Sequence, residues 1–292
     1  MTTVQAPPRG VPHAGLKRVA GYTVLIVFAL FYLYPFFIQI ATSLKSEVDA
    51  AANPLSLIPN PFDLTSWKRM FGLTNDSSVP ITTWLSNSVL VTTVVTAGRV
   101  FFDSLAGYAL SRLHFRGRKF LFASLLAVMS VPGVALLIPK FLMVTYLGIY
   151  DTYTAMILPL IVDAAGVFIM KQFFDSIPVS IEEAARIDGA SIFRTFWSVV
   201  LPMARPALIT LTILSFQGSW NEFGHFLVTT QSPEHKTLIT GLASLTSGEF
   251  GSGTQFPLKM AAALLTTIPV ALLFFAFQRQ FIRGANDGAE KG

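Results

Sequence analysis

The chain has 292 residues, of which 52% are hydrophobic and only 13% charged, with 26 phenylalanines and a formal charge of +5. That balance excludes an ordinary soluble domain of this length, and the absence of cysteine excludes disulfides and thiolate metal sites. Four histidines, at positions 13, 114, 225 and 235, are too scattered to form a metal constellation.

In chain order, residues 1–18, rich in proline and polar side chains near the start, read as a mobile arm. Six apolar runs follow, at about 19–44, 86–110, 120–144, 152–174, 206–230 and 258–281. Each approaches the roughly 20 residues that cross a bilayer as a helix. The first is long and lacks a small-residue cleavage site, so it reads as a retained anchor. In the second, Arg99 and Asp103 stand four apart, where helical side chains meet, and are expected to form an intramembrane pair. Asp163 in the fourth has no helical partner at that spacing; it either faces a cavity or pairs with another chain.

Lysine and arginine set the orientation. Arg112, Arg116, Arg118, Lys119, Lys171, Arg186, Arg194, Arg205, Arg279 and Arg283 fall on one side of a six-span arrangement, with Lys17 and Arg18. Lys45, Lys68, Arg69 and Lys236 fall on the other. The excess belongs in the cytoplasm, which places both termini and residues 176–205 inside, and residues 231–257 outside. The charge of +5 is therefore a topology signal, with no nucleic-acid partner needed to explain it.

Residues 176–205 form a charged, amphipathic insert between the fourth and fifth spans. Ser180 and Glu183 have the spacing of a capping box and predict a helix start. Ile181, Ala184, Ala185 and Asp188 are expected on one face, and Glu182, Glu183 and Arg186 on another. Gly189 suits the left-handed residue that ends a helix, and a second short helix is expected from Ser191 until Leu201 and Pro202 stop it. Further on, Gln217, Gly218, Ser219, Trp220, Asn221 and Glu222 make the outer half of the fifth span unusually polar. Amides and a carboxylate beside an indole suit the hydroxyls and carbon faces of a sugar; alternatively, Trp220 is an interfacial aromatic and Asn221 a helix-to-helix hydrogen bond. His225 nearby reads as a satisfied core histidine. The last span runs into a tail, residues 282–292, that composition alone would leave frayed at the headgroups.

The run Glu183, Ala184, Ala185, then Gly189, Val199, Leu201 and Pro202 resembles the coupling motif in the membrane subunits of binding-protein-dependent ABC importers, with Val199 in place of the usual isoleucine. The run from Trp220 to Phe223 and the tail from Gln278 resemble the carbohydrate-uptake branch, the shorter, tail-bearing maltose-type permease. The resemblance spans nearly the whole chain, departing at Asn286 and Asp287. It implies an all-α polytopic fold with a cytoplasmic coupling helix between helices 4 and 5. It also implies a homologous second permease, a pair of ATPase subunits, an extracytoplasmic solute-binding protein reached by the 231–257 loop, and a bacterial inner-membrane location. Its coupling residues are Glu183, Ala184, Ala185, Asp188, Gly189, Leu201 and Pro202. Apart from the resemblance, the polar outer half of the fifth span and the lone intramembrane acid make Trp220, Asn221, Glu222 and Asp163 the candidate path residues.

Independently of the resemblance, the chain has no glycine-rich loop followed by lysine and a hydroxyl residue, so ATP must be held by another polypeptide. No cofactor and no catalytic cluster are expected. Two other solute and energy classes stay open: a permease for glycerol phosphate or another polar solute, and a gradient-driven carrier using Asp103 and Asp163.

Overall fold

The computed structural model describes residues 14–74, 79–246 and 255–289. The first thirteen residues of the predicted arm, Phe250 in the outer loop and the last three residues of the tail lie outside them. Helices dominate: α1 (Ala14–Ser43), α2 (Glu47–Ala52), α3 (Thr65–Met70), α4 (Ile81–Arg112), α5 (Arg118–Met129), α6 (Leu137–Tyr146), α7 (Tyr153–Ile157), α8 (Ala164–Ser176), α9 (Val179–Ile187), α10 (Ile192–Thr195), α11 (Leu201–Met203), α12 (Arg205–Trp220), α13 (Gly224–Thr229), α14 (Leu238–Thr246) and α15 (Phe256–Ala289). No strand occurs among the described residues beyond one isolated bridge between Lys45 and Phe62. Helix α1 already begins at Ala14, so the end of the segment read as a mobile arm is helical; α15 likewise carries the backbone of the tail to Ala289.

Among the described residues, four helical stretches are long and apolar enough to cross a membrane: Arg18–Ser43, Ile81–Arg112, Tyr153–Ser176 and Phe256–Gln278. The third expected span is not straight, and the fifth begins at a sharp bend after the insert. Arg118–Met129 and Gly133–Tyr146 meet at 103°, and Ile192–Met203 meets Arg205–Trp220 at 81°. Six spans result if each bent pair counts as one. The fifth apolar run also stops earlier than expected, at Trp220, and α13 follows as a separate short helix.

The chain divides into two compact units, 1–67 with 254–261 and 68–253 with 262–292. In the first, residues 18–37 of α1 are exposed throughout, as befits a helix solvated by lipid. Below them the buried Lys45 extends its ammonium to the carbonyls of Asn53 (2.6 Å) and Ser56 (2.8 Å), tying the loop after α2 to the end of α1. Asp49 accepts from the Asn60 backbone N–H and the Asn53 amide, which hold its carboxyl below the usual range.

The second unit is built around α4, whose 32 residues span about 48 Å, well beyond a hydrocarbon core of about 30 Å. Helices α8 and α12 pack along it. Small residues permit the close approach: a Cβ on Gly107 would lie 2.9 Å from the Lys171 backbone nitrogen, and one on Gly166 would lie 2.1 Å from Asp103 Oδ2. At one end of α4, Tyr108, Phe174 and Phe196 form an aromatic core with Met170, Val200 and Leu211. At the other end, Asn87 donates to the carbonyls of Glu234 and Lys236 and accepts from the Tyr153 hydroxyl, fixing the start of the 231–257 loop.

Candidate functional site

The insert is anchored by a residue for which sequence reasoning assigned the opposite environment. Glu182 was expected on the charged outer face; it is buried, with its side chain 2% exposed. Its Oε1 lies 2.7 Å from Arg112 Nε, and its Oε2 accepts from the Tyr108 hydroxyl at 3.1 Å. Arg112 ends α4, where a cation offsets the negative end of the helix dipole. Its Nη2 also donates to the carbonyls of Phe174 (2.6 Å) and Ile177 (2.5 Å), which close the C-terminus of α8. One guanidinium thus joins α4, α8 and α9. A buried ion pair repays its desolvation only when its remaining donors and acceptors are also bonded, and most are here.

The capping box is not formed. Helix α9 starts at Val179 behind Pro178, whose fixed φ suits the entry, so Ser180 sits within the first turn and Glu183 points outward. Gly189 does end the helix as expected: at φ +80° its N–H bonds the Arg186 carbonyl and that of Ala190 bonds Ala185, a Schellman arrangement. Ser191 caps α10, its hydroxyl accepting from the Arg194 N–H at 3.3 Å. Leu201 and Pro202 do not stop the chain. A π-helical turn, Phe196–Val200, precedes them, and its wider coil gives the Pro202 ring clearance from the carbonyl four residues back. Helix α11 runs through Pro202, and the bend falls at Ala204.

What remains exposed is a knuckle. Glu183, Ala184, Ile187, Asp188 and Gly189 face outward, with Ala185 half-buried beneath them. Beside them, Phe193 stacks on Trp197 at 6.3 Å and 8°, each more than half exposed.

Arg99 and Asp103 do not form the expected ion pair. Arg99 Nε donates to the Leu160 carbonyl (2.7 Å), and Asp103 Oδ1 accepts the Asp163 backbone N–H (3.0 Å). Both serve a break in the fourth span, between the 3-10 turn Leu158–Leu160 and α8, where a bilayer would otherwise leave backbone groups unsatisfied. Asp163 is the N-cap of α8, its carboxylate accepting from Gly166 N–H at 3.1 Å. Asp163 therefore serves as a helix cap, a use that helical spacing does not reveal.

Trp220 is buried, stacked parallel on Phe216 at 5.8 Å, and its indole N–H donates to the Thr266 carbonyl on α15 at 2.9 Å. It is therefore not an interfacial belt aromatic. Asn221 is exposed at the end of α12, and Glu222 Oε1 accepts the His225 N–H at 2.8 Å, opening α13. His225 is fully buried and bonds the Ala155 carbonyl through Nε2, while its Nδ1 lacks a partner, so it is only half satisfied. Between α4, the π turn and α12 lies an apolar cavity of about 540 Å³, lined by Val100, Phe101, Phe196, Trp197, Leu208 and Phe216. Trp197, beside the knuckle, is part of the cavity lining.

Compared with known proteins, residues 103–286 match the family described as the binding-protein-dependent transport system inner membrane component. The chain belongs to this family. Its match includes Arg112, the whole insert and α12. The permease is 33% identical over 280 residues to the inner membrane ABC transporter permease protein YcjP of Escherichia coli, covering 95% of this chain and 98% of that one. It is 33% identical over 264 residues to the arabinooligosaccharides transport system permease protein AraQ of Halalkalibacterium halodurans, covering 90% and 93%. It is 29% identical over 270 residues to the sn-glycerol-3-phosphate transport system permease protein UgpE of Yersinia enterocolitica, covering 91% and 95%. A chain in the crystal structure of a bacterial ABC transporter that imports the acidic polysaccharide alginate has the same fold, with a TM-score of 0.77 over 93% of this chain and 99% of that one at 24% identity. The permease is thus a multi-pass inner-membrane subunit of an ABC importer.

Proposed function

We propose that the permease forms half of the translocation path for a sugar and takes its motion from ATPase subunits through the segment from Glu183 to Pro202. The carrying observation is the Arg112 to Glu182 clamp, which binds α9 to α4 and α8 while leaving Glu183, Ala184, Asp188 and Gly189 exposed. A knuckle so fixed moves with the spans, so a push on its outer face is transmitted rather than absorbed. Leu201 and Pro202, next to the bend into α12, offer the second route for that motion.

In this reading six spans place both termini and the insert in the cytoplasm, as the lysine and arginine distribution supports. A homologous second permease completes the path, two ATPase subunits dock below, and a solute-binding protein docks at the outer loops. The permease binds no cofactor and performs no bond chemistry; ATP is used by its partners. Carrying it from 1:99 to 99:1 in the outward state requires about 5.5 kcal/mol of differential binding, within reach of a docked interface. The arabinooligosaccharide relative supports a sugar, and the glycerol-phosphate relative supports the alternative solute. Trp220, Asn221 and Glu222 are the candidate path residues, of which Asn221 alone is exposed without a side-chain bond holding it to a neighbouring helix. Asp163 caps a helix and Asp103 Oδ1 accepts a backbone amide, structural uses that favour the ATP-driven reading over a gradient-driven carrier.

Reconstitution of the complete importer tests the proposal. Glu183→Lys and Gly189→Val should each leave the permease in the membrane and the ATPases active while abolishing solute uptake per ATP. Normal uptake by both would refute the role assigned to the knuckle.

A further inference from the structure

Away from the knuckle, the short connection between α4 and α5 borders a pocket of about 800 Å³ that the transport reading does not use. Its walls include Arg118, Lys119 and Lys171, with His114, and the aromatic rings of Phe120 and Phe122. Two apolar spans meet here: α4 ends at Arg112 and the bent span begins at Arg118. The pocket therefore sits where hydrocarbon gives way to headgroups, whichever face of the membrane this end occupies.

The charges are arranged unequally. Lys171 is already engaged, 2.5 Å from Asp175 Oδ2 and 4.5 Å from the Phe122 ring centre. The Arg118 guanidinium is held by the carbonyls of Ser111 (2.9 Å) and Leu113 (3.3 Å), which orient it without neutralising it. Among the described residues no carboxylate forms an ion pair with Arg118 or Lys119, and Lys119 is exposed. Immediately beside these cations, Phe120 is 74% exposed. A fixed guanidinium and a free ammonium next to an uncovered aromatic wall complement a phosphodiester that carries acyl chains, whereas a soluble anion leaves the apolar wall wet.

We propose that this pocket binds one anionic phospholipid, its phosphate between Arg118 and Lys119 and its acyl chain along Phe120 and Phe122. The inference is independent of which solute is carried. Two cations near a headgroup predict about a thirtyfold preference for an anionic over a zwitterionic lipid.

The test is native mass spectrometry of the full-length permease released from micelles, with dioleoylphosphatidylglycerol and dioleoylphosphatidylcholine as competing probes. The wild type should retain the glycerol lipid with that preference, and Arg118→Gln/Lys119→Gln should lose it. Arg194→Gln/Arg205→Gln, which removes two cations elsewhere, should keep it, and circular dichroism should show that all three proteins are equally helical. Indifference of the wild type to headgroup charge would overturn the proposal, as would equal losses in both double variants. Displacement of the lipid by millimolar inorganic phosphate would make the site one for a free anion and overturn the lipid assignment. Unchanged lipid preference in Arg118→Gln/Lys119→Gln, with weakened co-purification of ATPase subunits instead, would assign the cations to a protein partner and likewise overturn it.

Discussion

Breaking the Arg112 to Glu182 clamp should cost far more than any surface ion pair, and the cost should be shared between the two residues. Their side chains are 8% and 2% exposed and approach to 2.7 Å, so removing one strands a buried charge. Such losses run at about 3–5 kcal/mol. Glu182→Ala belongs at the lower end, about 3 kcal/mol, because Arg112 keeps the carbonyls of Phe174 and Ile177. Arg112→Met belongs at the upper end, about 5 kcal/mol, since it also strips those two carbonyls of their donor. The double variant Arg112→Met/Glu182→Ala leaves no stranded charge, so it should be milder than the sum by at least about 2 kcal/mol. Equilibrium unfolding of the full-length chain in graded dodecyl sulfate, followed by circular dichroism, measures all four corners of the cycle. Additivity within about 0.5 kcal/mol would show that the two side chains do not hold each other and would refute the clamp.

Trp220→Phe keeps an aromatic ring beside Phe216 but removes the indole hydrogen bond to Thr266 and part of the buried ring volume, so it should lower stability by about 2–3 kcal/mol and leave solute selectivity unchanged. Altered selectivity at unchanged stability would instead make Trp220 a path contact. At the outer loop, burial pushes the Asp151 carboxyl up, but the Ser232 hydroxyl and the backbone amides of Gln231 and Ser232 outweigh it and hold the group below the ordinary value. Because the folded value is depressed, the attachment is at full strength above the unfolded pKa of about 3.9 and is lost as pH falls through the folded value. Proteolysis of residues 231–237 should therefore accelerate only below about pH 4, and Asp151→Asn should accelerate it at neutral pH; equal cleavage of both proteins across that range would contradict the assignment.

Composition and hydropathy made the apolar runs and the charged insert legible, and Gly189 and Ser191 announced their own roles because helix ends are set by local backbone chemistry. Glu182 was misread for the opposite reason. Its partner Arg112 lies 70 positions earlier, and helical spacing alone cannot say which of two adjacent acids turns inward. The capping-box spacing of Ser180 and Glu183 drew the helix start two residues too late because Pro178 already supplies an entry. Likewise the spacing of Arg99 and Asp103 suggested a pair on an unbroken helix, whereas both side chains satisfy a break in a neighbouring span. The 103° and 81° bends also escaped hydropathy, which measures apolar length and carries no direction.

The absence of native cysteine makes the central claim directly measurable, because a single Ala184→Cys reports only from the knuckle. A membrane-impermeant maleimide should label it in inverted membrane vesicles, fail to label it in intact spheroplasts, and lose access when the ATPase subunits are bound. Labelling from the outer face, or undiminished labelling in the assembled importer, would contradict the account.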